Sequence, residues 1–130
     1  MTIELTVLVL AVLLAYAQLT IYAVFANRDY GPSYTMSTRD GGPDRPASVI
    51  TGRLRRAYEN HLETLPWFAI AVLVAHAASA TSWITAASSL IYLGARIVYI
   101  PCYAFGWRLR SLVWGVAALA ILVILGDTLV

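Results

Sequence analysis

Arg96 stands inside a long apolar run, where a charge is out of place. Around it, Tyr92, Arg96, Tyr99 and Tyr103 recur at i, i+4, i+7 and i+11, one face of a helix at about 100° per residue. A second stripe, Arg53, Arg56, Asn60 and Glu63, recurs at i, i+3, i+7 and i+10. The two stripes face each other or a neighbouring subunit. Together they offer several guanidinium forks, one carboxylate, one amide and two or three phenols. Guanidinium reads carboxylates bidentately, and Glu63 can take an ammonium. Such a set suits a small ligand bearing carboxylates and an amine. The apolar surroundings suit a lipophilic second substrate arriving from a bilayer.

Plainer roles compete for some of these residues. Arg96 could snorkel, although seven residues of helix place it roughly 10 Å below Tyr103. It could equally form a structural pair with Glu63, since buried charges need partners in any case. An interfacial tyrosine belt accounts for Tyr103, but not for Tyr99 and Tyr92 stacked on the side of an arginine. A solvated helix end accounts for Arg53 and Arg55, but not for Asn60 and Glu63, which approach hydrocarbon. Pro66 follows and is expected to free the Leu62 carbonyl.

The elements that position these groups follow from composition. Of 130 residues, 60% are apolar and 12% charged, and all nine basic residues are Arg. Soluble domains are about 25% charged, so this chain cannot solvate an ordinary surface. One crossing needs about 20 apolar residues, which leaves room for four helices and no separate soluble domain. The runs do not alternate, which argues against a membrane β-barrel. The expected fold is an all-α membrane protein, a single domain over 1–130 whose helices span about 3–26, 49–78, 83–104 and 108–127.

The first run, Leu5–Phe25, contains Ala15-Tyr16-Ala17, which could pass for a cleavage site. No basic residue precedes it and the run continues beyond, so a retained transmembrane helix is expected. The second helix, at about 1.5 Å per residue, is roughly 45 Å long against a core of about 30 Å. Its first turns should therefore stand in the headgroup zone, with Glu63 just inside the slab. Pro101 should kink the third helix. The loops Asn27–Arg56 and Ala104–Arg110 hold eight of the nine Arg. By the positive-inside rule both are cytoplasmic, with the two termini on the opposite side.

Other classes are disfavoured. A net charge of +2 without a basic stripe gives no case for nucleic acid. The single Cys102 forbids an intrachain disulfide, and His61 and His76 lack ligand spacing, so no metal site is expected.

Two motifs then point to a family. Arg56-Ala57-Tyr58-Glu59-Asn60-His61-Leu62-Glu63-Thr64-Leu65-Pro66 resembles the R-A-x-x-N-x-x-E-x-x-P signature of the MAPEG family, the membrane-associated proteins in eicosanoid and glutathione metabolism. Ala95-Arg96-Ile97-Val98-Tyr99-Ile100-Pro101-Cys102-Tyr103 resembles its third-helix pattern A-R-x-x-Y-x-x-x-Y. The resemblance implies a homotrimer of four-helix protomers with glutathione, a co-substrate, bound between subunits near the cytoplasmic side. It assigns Arg56, Asn60, Glu63, Arg96, Tyr99 and Tyr103 to the tripeptide, with Arg28 as a weaker match. It assigns Arg110 to stabilising the glutathione thiolate. Tyr58 departs from some eukaryotic members, and His61 is not part of the signature.

The expected activity is a glutathione-dependent transferase or peroxidase acting on lipophilic electrophiles or hydroperoxides. One alternative is a non-catalytic lipid-binding or scaffold member of the same family. Another is a small proton-coupled efflux protein, although such proteins resemble a pattern with the embedded acid on the first helix, and here it is Glu63 on the second.

Overall fold

A computed structural model describes all 130 residues. It contains α1 (Ile3–Tyr30), a one-turn α2 (Pro32–Thr35), α3 (Val49–Ala77), α4 (Trp83–Ala104) and α5 (Arg110–Leu129), and no strand. Three of these, α1, α4 and α5, are long and apolar enough to cross a membrane.

Capping residues set the starts of three helices. Thr2 Oγ1 accepts from the Leu5 amide, and Ser48 Oγ from that of Thr51. Ser82 and Thr85 form a reciprocal capping box at the head of α4, which satisfies amides left without intrahelical partners. Gly106, at φ 70°, turns the chain out of α4, where the Trp107 amide donates to the Cys102 carbonyl at 2.8 Å. Only a residue tolerant of positive φ fits there.

Two helices differ from the sequence reading by two residues or more at an end. The first helix does not stop near residue 26 but runs to Tyr30. Asp29 accepts hydrogen bonds at 2.9 Å from both the amide and the hydroxyl of Ser48, and a third from the Thr51 hydroxyl. This clamp ties the end of α1 to the start of α3 and stabilises the extra turn. Gly31, at φ 84°, is the actual terminator. The last helix spans Arg110–Leu129 rather than 108–127, since Arg108 and Leu109 still belong to the turn.

The long helices alternate in direction. At one end Asp29 meets Ser48, and Arg53 donates to the Ala104 carbonyl at 3.1 Å. At the other, the Thr85 hydroxyl donates to Glu4 and the Ser82 hydroxyl to Asp127. The apolar core lies toward this second end. It joins Val7 and Ala11 of α1, Phe68, Ala71, Val72 and Ala75 of α3, Tyr92 of α4, and Ala117, Ala120, Ile121 and Ile124 of α5. Six of its eleven members are not alanine-sized only by virtue of Val, Ile, Phe and Tyr; the five alanines let the backbones approach closely, as packed membrane helices require. Phe68 stacks on Tyr92 with ring centroids 4.0 Å apart, and the Tyr92 hydroxyl lies 2.9 Å from Thr64 Oγ1. Tyr92 therefore belongs to the core, although it shares a helical face with Arg96.

Replacing the fully buried Phe68 by Ala leaves a cavity beneath Tyr92. The expected loss is about 3 kcal/mol or more of stability, read as a lower unfolding midpoint of the detergent-solubilised protein.

Candidate functional site

The polar end of the bundle brings the two stripes together. Arg56, Glu59, Asn60 and Glu63 of α3, Tyr99 and Tyr103 of α4, and Arg110 at the head of α5 line one cavity of about 220 Å³. Six of the eight residues singled out in the sequence are thus neighbours. Helical periodicity delivers them. Arg56, Asn60 and Glu63 follow one another on α3 at steps of four and three, while Tyr99 and Tyr103 are one turn apart on α4.

Aromatic faces organise the cations. The Arg56 Nε–H donates to the Tyr103 hydroxyl at 3.0 Å. The Arg110 guanidinium lies 4.8 Å from the Tyr103 ring centroid and that of Arg96 lies 4.4 Å from the Tyr99 centroid. The two tyrosine rings meet edge to face at 5.8 Å. Each ring offers its electron-rich face to a guanidinium. This holds three arginines within one small region without a carboxylate bonded to any of them.

Arg96, 1% exposed, lies behind the cavity. Its Nη1 donates to Asn60 Oδ1 at 2.9 Å and its Nε to His61 Nδ1 at 3.2 Å, while Nη2 has no partner. The structural pair with Glu63 does not form. The two ion pairs of the protomer are Arg28–Asp29 and Arg55–Glu59. Glu63 is exposed at the cavity instead. The reason is register: Asn60 and His61 lie one turn closer to the head of α3 and face α4 directly, so they reach the guanidinium first.

Arg53 and Arg28 leave the group. Arg53 reaches the carbonyl end of α4 and lines a second cavity of about 380 Å³ with Tyr103, Gly106, Trp107, Arg108, Arg110 and Ser111. The two cavities share Tyr103 and Arg110. One holds Glu59 and Glu63 beside Arg56 and Arg110, and the other holds three arginines and no acid, so the second is the more cationic. Arg28 sits at the far end of α1, 4.6 Å over the Phe25 ring and 3.8 Å from Asp29. Within one protomer it is not at the cavity. The widest hollow, about 900 Å³, lies between the end of α1, α2 and the following loop, lined by Tyr22, Tyr30, Tyr34, Arg39 and Arg55 among others. It contains none of the eight residues.

His61 is the residue that the motif missed. It lies on the buried face of α3 with Ala57, Thr64, Phe68 and Ala71. A histidine spaced among small and apolar residues at i−4, i+3, i+7 and i+10 was the available signal.

Comparison with known proteins gives one match. The model of the MAPEG family covers residues 3–130. No curated protein and no solved structure matches the chain.

The Arg96 network yields two opposite expectations. Asn60→Ala leaves Nη1 buried without an acceptor and should lower stability by about 1–3 kcal/mol. Arg96→Met removes the buried charge altogether and should leave the ligand-free protein as stable as before or more so. Thermal unfolding of both variants in the same detergent checks the pair.

Proposed function

The chain belongs to the MAPEG family, and from that premise and the α3–α4–α5 cavity we propose a membrane-embedded glutathione-dependent transferase or peroxidase. The protein is an integral membrane protein. One observation supports the reading above the others: Arg56, Asn60, Glu63, Tyr99, Tyr103 and Arg110 converge on one cavity with Arg96 behind it.

Glutathione has two carboxylates, one ammonium and one thiol. In this reading Glu63 takes the ammonium, while Arg56 and Arg96 take carboxylates. Asn60 holds Arg96, and Tyr99 and Tyr103 support the arginines through their rings. Arg110 faces the thiol. A free thiol of pKa about 8.5 is only a few per cent thiolate at neutral pH, and a fixed cation lowers that pKa. Arginine remains protonated, so Arg110 stabilises the thiolate and does not act as a base.

The thiolate then forms a C–S bond to a lipophilic electrophile, whose leaving group departs with the electron pair. With a hydroperoxide, sulfur attacks the distal oxygen and the O–O bond breaks to give an alcohol and a sulfenic acid. A second glutathione converts the sulfenic acid to the disulfide and water.

The cavity of about 220 Å³ is below the roughly 300 Å³ at which ligand pockets usually begin. Arg56, Glu63 and Arg110 are all exposed. Both facts support enclosure of the tripeptide between subunits, with the implied homotrimer completing the site and a neighbour's Arg28 free to join it. Four crossings, with α3 the least apolar, and cytoplasmic placement of the arginine-rich end belong to the same proposal.

The wide hollow beside α1, with its apolar and tyrosine lining, favours one other reading, a lipid-binding member without catalysis. Glutathione at about 100 times its dissociation constant should stabilise a binder by about 2.7 kcal/mol. The purified protein should also conjugate glutathione to a small aryl halide. Arg110→Ala should keep the thermal stabilisation and lose about 100-fold or more in rate, the scale of removing one charge-stabilising donor. Stabilisation without turnover of any electrophile or hydroperoxide selects the non-catalytic reading, and no stabilisation rejects the glutathione site.

A further inference from the structure

His61 bonds to groups on two other helices and is fully buried. Its Nε2 lies 2.9 Å from the Ala11 carbonyl oxygen on α1. A carbonyl only accepts, so Nε2 holds the proton. Its Nδ1 lies 3.2 Å from Nε of Arg96 on α4. A guanidinium N–H only donates, so Nδ1 presents its lone pair. One neutral tautomer satisfies both contacts, and no other does. The neighbouring Asn60 accepts from Nη1 at 2.9 Å. Consecutive residues of α3 therefore grip two nitrogens of one guanidinium, and the third, Nη2, is buried without a partner.

The choice of a neutral acceptor is informative. A carboxylate at position 61 would bind Arg96 more strongly, but it would also neutralise the charge. An imidazole nitrogen orients the cation and leaves that charge to be met by something else. Nothing acidic in the protomer forms an ion pair with it.

We infer that His61 is a positioning residue of the ligand site. Anchored on the α1 backbone, it fixes Arg96 behind the cavity with one nitrogen, the buried Nη2, left unbonded; a carboxylate of the bound tripeptide takes that nitrogen once binding uncovers it. This rests on the glutathione reading above. It adds a residue outside the family signature and makes α1 part of the site's support.

Two variants separate positioning from packing. His61→Asn and His61→Leu both lose the bond to Ala11, so both should unfold at lower temperature than the wild type. Only Asn keeps an acceptor near the place of Nδ1. The Asn variant should bind glutathione within about threefold of the wild type, and the Leu variant about tenfold more weakly, as expected for one hydrogen bond to a charged group. In ¹⁵N-arginine-labelled protein, the slowly exchanging Nε–H signal that Arg96→Lys removes should persist in the Asn variant and be lost in the Leu variant. Equal glutathione affinity in the two variants overturns the inference.

A measurement on the wild type guards against misfolded variants. The ¹⁵N shifts of the His61 ring, told from His76 by His76→Gln, should report a proton on Nε2 alone. A proton on Nδ1, with glutathione still bound, overturns the positioning role and spares the glutathione site. The Nε2–H tautomer and slow Arg96 signal in a protein indifferent to glutathione overturn the glutathione site and leave the His61–Arg96 contact standing.

Discussion

A guanidinium cannot shed its proton inside a protein, and Arg96 is 1% exposed without a bonded carboxylate. A buried charge of that kind is costly unless polar groups surround it. The surrounding structure can be read as the answer to that requirement. Asn60 and His61 supply neutral acceptors, the Tyr99 face supplies electron density, and the backbone of α1 fixes the ring of His61. Three helices, α1, α3 and α4, contribute polar or aromatic groups around this one charge.

Hydrogen bonds tie the helices at both ends, but the packing between them differs along the length. Toward one end alanines pack with Val, Ile, Phe68 and Tyr92, where close approach of backbones replaces the missing hydrophobic drive between helices in lipid. Toward the other end the helices are tied by hydrogen bonds across loops, Asp29 to Ser48 and Thr51, and Arg53 to the carbonyl end of α4. These ties join the helices without filling the polar cavities at that end. Tyr92 and Thr64 mark the boundary, since their hydroxyls bond one turn below Arg96 while the Tyr92 ring joins the core.

Much of this was legible in the residues. Periodicity gave the faces of α3 and α4, and the loops gave the helix order. Other parts depended on geometry that spacing does not contain. The choice between Glu63 and Asn60 as partner of Arg96 turns on the axial register of α3 against α4. Opposite charge alone suggested the wrong one. His61 read only as a failed metal ligand because its second partner is a backbone carbonyl on α1, invisible to any side-chain pattern. The last turn of α1 read as loop because Asn27, Arg28 and Asp29 are polar, whereas its stability comes from Ser48 and Thr51, about twenty residues on.

The arginines at the site are not equivalent, and their differences suit different tasks. Arg96 has two of its nitrogens engaged and a buried position, which leaves only Nη2 without a partner and its direction fixed. Arg56 has its Nε engaged by Tyr103 but is exposed, so its outer edge can adapt to a carboxylate. Arg110 is exposed, lies 4.8 Å from the Tyr103 ring centroid, and lines both cavities. A group at the junction of two cavities meets the middle of a ligand that extends into both. In glutathione the thiol lies on the central residue, between the γ-glutamyl end, which bears the ammonium and one carboxylate, and the glycine end, which bears the other. In the proposed glutathione reading, the shared position of Arg110 therefore suits the thiol on grounds of ligand shape as well as charge, and the buried Arg96 does not.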